Sequence, residues 1–112
     1  MSKINIETIL KQNKKTEINI KITGILQEDK IKYKENNIIN ILDIKNETLK
    51  RKNKDYEIII DFKNETIINN YNNHELKLKI KVKTKKIEQN KINIEYIIID
   101  TNDIFEYEII WR

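Results

Sequence analysis

The chain has 112 residues, 22 basic and 18 acidic for a net charge of +4, with no cysteine and no proline. That length suits one domain spanning residues 1–112. The composition excludes a disulfide framework, thiolate chemistry and cysteine-ligated zinc, and the mixed charge is that of a solvated surface rather than of a strongly basic nucleic-acid binder. Ile, Lys and Asn supply 63 of the 112 residues, a bias that an A/T-rich coding sequence explains without reference to function. Apolar runs such as Ile58-Ile59-Ile60 fall far short of the roughly 20 residues of a membrane-spanning helix. The start, Met1-Ser2-Lys3-Ile4-Asn5, shows no signal-peptide core, so a cytoplasmic protein without a membrane partner is expected.

Period-two alternation marks the strands in chain order. Ile4 and Ile6 open a first strand that runs to Leu10. Ile18, Ile20, Ile22 and Leu26 line a second, interrupted by Gly24, the only glycine, where a bulge or sharp bend is expected. Ile31 and Tyr33 mark a third strand and Ile38 to Ile44 a fourth. A weak fifth covers Thr48 to Lys52, and Tyr56, Ile58, Ile60 and Phe62 share one face of the sixth. Residues 65–71 give a seventh. In the eighth, Leu76, Leu78, Ile80, Val82 and Thr84 fall on one face and Lys77, Lys79, Lys81, Lys83 and Lys85 on the other, a division that a strand makes and a helix cannot. Ile92, Ile94, Tyr96 and Ile98 align in the ninth, and Phe105, Tyr107, Ile109 and Trp111 in the tenth.

Without proline, turns must be read from Asn and its neighbours, which tolerate left-handed backbone. They are expected at Asn13-Lys14, Asn36-Asn37, Asn53-Lys54, Lys63-Asn64, Asn72-Asn73, Gln89-Asn90 and Asn102-Asp103. Short links between strands favour sequential antiparallel pairing. The expected fold is all-β, an antiparallel meander barrel of about 8–10 strands, with a β-sandwich as the alternative.

From about Ile31 onward the chain resembles the YwiB-like family of bacterial proteins. Leu76-Lys77-Leu78-Lys79-Ile80-Lys81-Val82-Lys83-Thr84-Lys85-Lys86-Ile87 is similar to that family's late alternating strand, and Ile92-Asn93-Ile94-Glu95-Tyr96-Ile97-Ile98 to the strand after it. Lys50-Arg51-Lys52-Asn53 resembles an earlier Arg-x-Gly stretch, with Asn53 where glycine is usual. The resemblance implies a calycin-like, lipocalin-type barrel and carries no activity with it.

Catalytic toolkits are scarce. Ser2 and His74 are the only serine and histidine, so a nucleophilic triad has almost nothing to draw on. No calcium loop or phosphate-binding glycine loop occurs, and no metal or cofactor is expected. Paired carboxylates remain an acid–base option. Asp100 follows Ile98 toward a barrel mouth, and either Asn40 or Asp43 must lie on whichever face of the fourth strand is buried.

The leading expectation is a non-enzymatic barrel that takes a small apolar or amphipathic ligand inside. Tyr56, Phe62, Tyr96, Phe105, Tyr107 and Trp111 are the candidate lining residues, although Trp111 could instead plug one barrel end. The alternative is a module for an anionic partner such as RNA, through a basic stripe of Lys77, Lys79, Lys81, Lys83 and Lys85 extending about 27 Å. A third reading, with the chain a monomer or a homodimer, is a dimer or scaffold contact through outward Ile97, Ile99 and Ile110.

Overall fold

A computed structural model describes residues Ser2 to Arg112. These form ten strands: β1 (Ser2–Gln12), β2 (Lys15–Gln27), β3 (Lys30–Glu35), β4 (Ile38–Asp43), β5 (Thr48–Lys52), β6 (Tyr56–Asp61), β7 (Thr66–Tyr71), β8 (His74–Glu88), β9 (Lys91–Ile98) and β10 (Ile104–Trp111). Each pairs antiparallel with its chain neighbours, and β1 pairs with β10 to close the barrel. The sandwich alternative is thereby set aside. Closure gives every strand a partner on both sides over part of its length, which shortens the exposed sheet edges.

Asparagine does the work that glycine usually does in the turns. Asn13, Asn36, Asn72, Asn73, Asn90 and Asn102 all have positive φ. At Asn13-Lys14 and Asn72-Asn73 both residues do, as a two-residue hairpin loop matched to the strand twist requires. Elsewhere side chains fold back on the turn. Asp61 Oδ1 accepts the N–H groups of Lys63 and Asn64 at 3.0 and 2.9 Å. Burial works against the charge of Asp61, but these bonds and the Asn64 side chain hold its carboxyl below the usual carboxylate range. Glu28, Glu47 and Glu65 also take positive φ, with nothing in their residue type to announce it.

Two long strands shape the barrel. β2 has 13 residues and β8 has 15. β2 pairs with β1 along its length but with β3 only from Gly24 to Gln27. β8 pairs with β7 through His74–Lys79 and with β9 through Ile80–Glu88. Each is therefore shared by two walls and must bend between them. The register runs unbroken through Gly24, so the bulge expected there is absent, and glycine is needed for close packing instead. A Cβ there would collide with Ile6 Cδ1 and sit 2.7 Å from the Lys32 carbonyl oxygen. Because the backbone cannot yield as a side-chain tip can, Gly24→Ala is expected to lower stability by about 2–3 kcal/mol, read from urea unfolding of the two proteins.

On β8 the register shifts between Val82 and Thr84. The bulge exchanges the two faces beyond it. Thr84 pairs with Glu95 on the outside, while Lys85 and Ile87 lie opposite Ile94 and Ile92 on the inner side of the sheet. The expected faces are thus corrected from Lys83 onward. Lys77, Lys79 and Lys81 point outward beside Ile68, Thr66 and Ile97. Lys83 occupies the bulge, and the Lys85 ammonium pairs with Glu47 across the barrel end.

The two ends of the barrel differ. One carries the turns after β2, β4, β6 and β8, and there Ile6, Ile31, Leu42, Ile92, Ile109 and Trp111 are buried in a packed core. Trp111, paired with Ile6 across the closing seam, plugs this end. The other carries the turns after β1, β3, β5, β7 and β9. Toward it the inward-facing Leu10, Ile18, Ile58, Leu78, Ile98 and Phe105 are only half-buried, although their strand parity aims them at the barrel axis.

Candidate functional site

Those half-buried side chains face a cavity of about 230 Å³. Its walls come from β1, β2 and every later strand up to β10. One side is aromatic. Phe62 and Tyr96 pack tilted with centroids 5.7 Å apart, and Tyr96 stacks on Phe105 at 5.4 Å. Aliphatic Leu10, Leu49, Ile58, Ile67 and Leu78 supply most of the rest.

The opposite side is polar, and register explains why. Gly24, Tyr33, Asn40, Arg51, Ile58 and Asn69 are successive cross-strand partners from β2 to β7, and directly opposed residues share a face. Strand parity therefore sends Arg51 inward with Leu49, and Glu35 inward with Tyr33 and Ile31. Asn40 is fully buried and its Oδ1 accepts the Arg51 Nε–H at 3.0 Å. The Arg51 guanidinium also donates to Glu35 Oε1 at 3.2 Å. Glu35 is 8% exposed, so this is a nearly buried ion pair rather than a surface one.

The hydroxyls are mostly engaged as well. Tyr33 and Tyr107 share a hydrogen bond of 3.1 Å, and Thr8 Oγ1 donates to the Glu108 carbonyl at 3.0 Å. Burial raises the pKa of Tyr33, Tyr96 and Tyr107, while the Arg51 charge pulls in the other direction at all three. Among the described residues, Asn69 Oδ1 is the one buried side-chain oxygen without a hydrogen-bond partner.

Of the six aromatic residues expected inside, Phe62, Tyr96, Phe105 and Tyr107 line the cavity. Trp111 belongs to the packed end instead. Tyr56 stands on the inner side of β6 nearest the open end, opposite Tyr71, which in turn faces His74. It thus edges the mouth, where Tyr71 and Leu76 are more than half exposed, without lining the cavity. Asp100 is exposed in the turn after β9 and takes no part. Asn40, not Asp43, is the inward polar residue of β4.

The sequence reading missed Glu35 and Arg51. The clue was available in Ile31-x-Tyr33-x-Glu35 and Leu49-x-Arg51, where the charge keeps parity with apolar neighbours. The basic stripe fares differently. With Lys85 turned toward Glu47 and Lys83 in the bulge, only Lys77, Lys79 and Lys81 keep one face, a span of roughly 13 Å. No aromatic platform accompanies them. Among the described residues, no group of three or more His, Cys, Asp or Glu side chains converges as a metal site would need.

Compared with known proteins, the chain matches no family model, no curated protein and no solved structure at a significant level.

Proposed function

We propose that this protein is a binding protein that takes a small amphipathic molecule into the open half of its barrel. The observation that carries this reading is the cavity of about 230 Å³, walled by an aromatic stack on one side and by fixed polar groups on the other. A dry apolar cavity of roughly 150 Å³ is enough to take benzene, so this one suits a molecule with one ring or a short chain. It is smaller than the roughly 300–1,000 Å³ of pockets for drug-sized ligands. A calycin-like architecture, supported by the closed antiparallel meander, and kinship with the YwiB-like family, resting on the similarity of its strand sequences alone, are part of the same proposal.

The reading is of binding rather than catalysis. The single acid on the cavity wall, Glu35, is held by Arg51, which leaves no free carboxylate pair for acid–base work. The direct test blocks the space. Leu10→Trp with Ile58→Trp places two indoles in the cavity, and the double variant is expected to keep the β-sheet circular dichroism of the parent while losing binding of one-ring probes in ligand-observed NMR. Probe binding unaffected by the indoles would sink the proposal.

A further inference from the structure

The barrel is closed but not paired throughout. β2 pairs with β1 from Lys15 to Leu26, whereas β3 reaches it only from Gly24 to Gln27. From Lys15 to Ile22 the other side of β2 is therefore a free edge, with no strand upon it among the described residues. The seam fixes which backbone groups that edge offers. Asn5 and Arg112 exchange both backbone hydrogen bonds, so Asn5 turns its N–H and C=O toward β10. This direction alternates along an antiparallel strand. Glu7 and Ile9 therefore face β10 as well, and their partners Lys21 and Asn19 on β2 turn their N–H and C=O to the free edge.

The edge reads Lys15-Thr16-Glu17-Ile18-Asn19-Ile20-Lys21-Ile22, and it is complementary to itself. Turned end for end about Asn19, it sets Glu17 opposite Lys21, Ile18 opposite Ile20 and Asn19 opposite its own copy. Opposed residues must share a face, and these do: Glu17, Asn19 and Lys21 are exposed, while Ile18 and Ile20 are half-buried on the inner side. Neighbouring registers do worse. An axis at Ile18 sets Lys15 against Lys21, an axis at Lys21 sets that lysine against itself, and an axis at Ile20 forms no charge pair. Among the described residues Glu17 has no ion-pair partner, and Lys21, with its side chain 83% exposed, meets only Glu7 at 3.4 Å. Glu17 is the extra residue where the β1–β2 register shifts, so its long side chain rather than a regular backbone pair makes the contact there.

We propose that the free edge of β2 is a homodimer interface, in which two copies of this chain pair β2 to β2, antiparallel, about a two-fold axis at Asn19. The contact is isologous, so every interaction occurs twice. Main-chain hydrogen bonds at Asn19 supply the strand addition. Two Glu17–Lys21 pairs set the register, and Ile18 and Ile20 of each copy gain apolar cover from the other.

The test uses the full chain and two exposed charge reversals, Glu17→Lys and Lys21→Glu, each checked for unchanged sheet circular dichroism. Analytical ultracentrifugation from micromolar to millimolar concentration is expected to show the parent passing from the chain mass to twice that mass. Each reversal alone turns both charge pairs into like-charge contacts and should weaken the dimer about tenfold. An equal mixture of the two variants puts opposite charges at every 17–21 contact and should dimerise as the parent does. Amide exchange locates the interface: the Asn19 and Lys21 N–H groups should be protected in concentrated parent and exchange freely in dilute parent. A parent that stays monomeric overturns the proposal, even if the edge then accepts an unrelated extended peptide. So does a dimer that both single variants leave unchanged, or a mixture that dimerises no better than its components.

Discussion

Arg51→Met is expected to destabilise the barrel by about 3 kcal/mol, the lower edge of the range for breaking a buried pair, because the open end of the cavity admits some water. The loss comes chiefly from what stays behind. Glu35, 8% exposed, would keep a charge with no partner, and Asn40 Oδ1 would lose the N–H it accepts at 3.0 Å. Removing both charges should cost less than removing one. Glu35→Leu with Arg51→Met is expected to recover all but about 1 kcal/mol, the remainder belonging to Asn40. Urea unfolding of the parent, both single variants and the double gives the cycle directly. A double variant less stable than either single one would show that the pair is not what holds this wall.

The second large effect is alkaline. Tyr33, Tyr96 and Tyr107 are buried, and burial raises their pKa above the ordinary phenol value of 10.0. A group that holds its proton more tightly when folded gives stability that is fully present below its unfolded pKa and lost as pH rises through the folded one. The window therefore opens near pH 10 and runs upward. Well above it, three phenols ionised only in the unfolded chain reduce stability by about 4 kcal/mol per pH unit. Unfolding is expected to be cooperative over a narrow interval above pH 10, with the buried phenols ionising in step with the loss of sheet circular dichroism. Tyr107→Phe should be about 1 kcal/mol less stable at neutral pH, because Tyr33 loses its partner. The same variant should fall off more gently in alkali. Buried phenols that ionised ahead of unfolding would contradict this account.

The first effect arises on the polar wall, the part of the molecule least legible in the sequence. The strands themselves were plain. Alternation located all ten, and asparagine located most of the turns, since Asn13, Asn36, Asn72, Asn73, Asn90 and Asn102 do take left-handed backbone. What alternation could not deliver was any feature that depends on a partner. β5 contains one apolar residue, Leu49, too few to fix which face is buried, so the inward aim of Arg51 was hidden. The bulge at Lys83 carries no glycine, and without it the simplest reading kept five lysines on one face. The glutamates at 28, 47 and 65 take positive φ because hairpin closure imposes it, a tertiary demand that local residue preference does not register.

The seam between β1 and β10 also determines how the chain can fold. Every other strand pairing joins neighbours in sequence through a short turn, so those hairpins can form and zip locally. The seam alone brings together opposite ends of the chain: Ile6 lies beside Trp111, and Asn5 and Arg112 exchange backbone hydrogen bonds of 2.9 and 3.0 Å. Ring closure therefore bears the largest loop entropy and is expected to come late in folding. The only tryptophan in the chain, Trp111, sits on that seam, which makes its fluorescence a built-in clock for the moment the ring shuts.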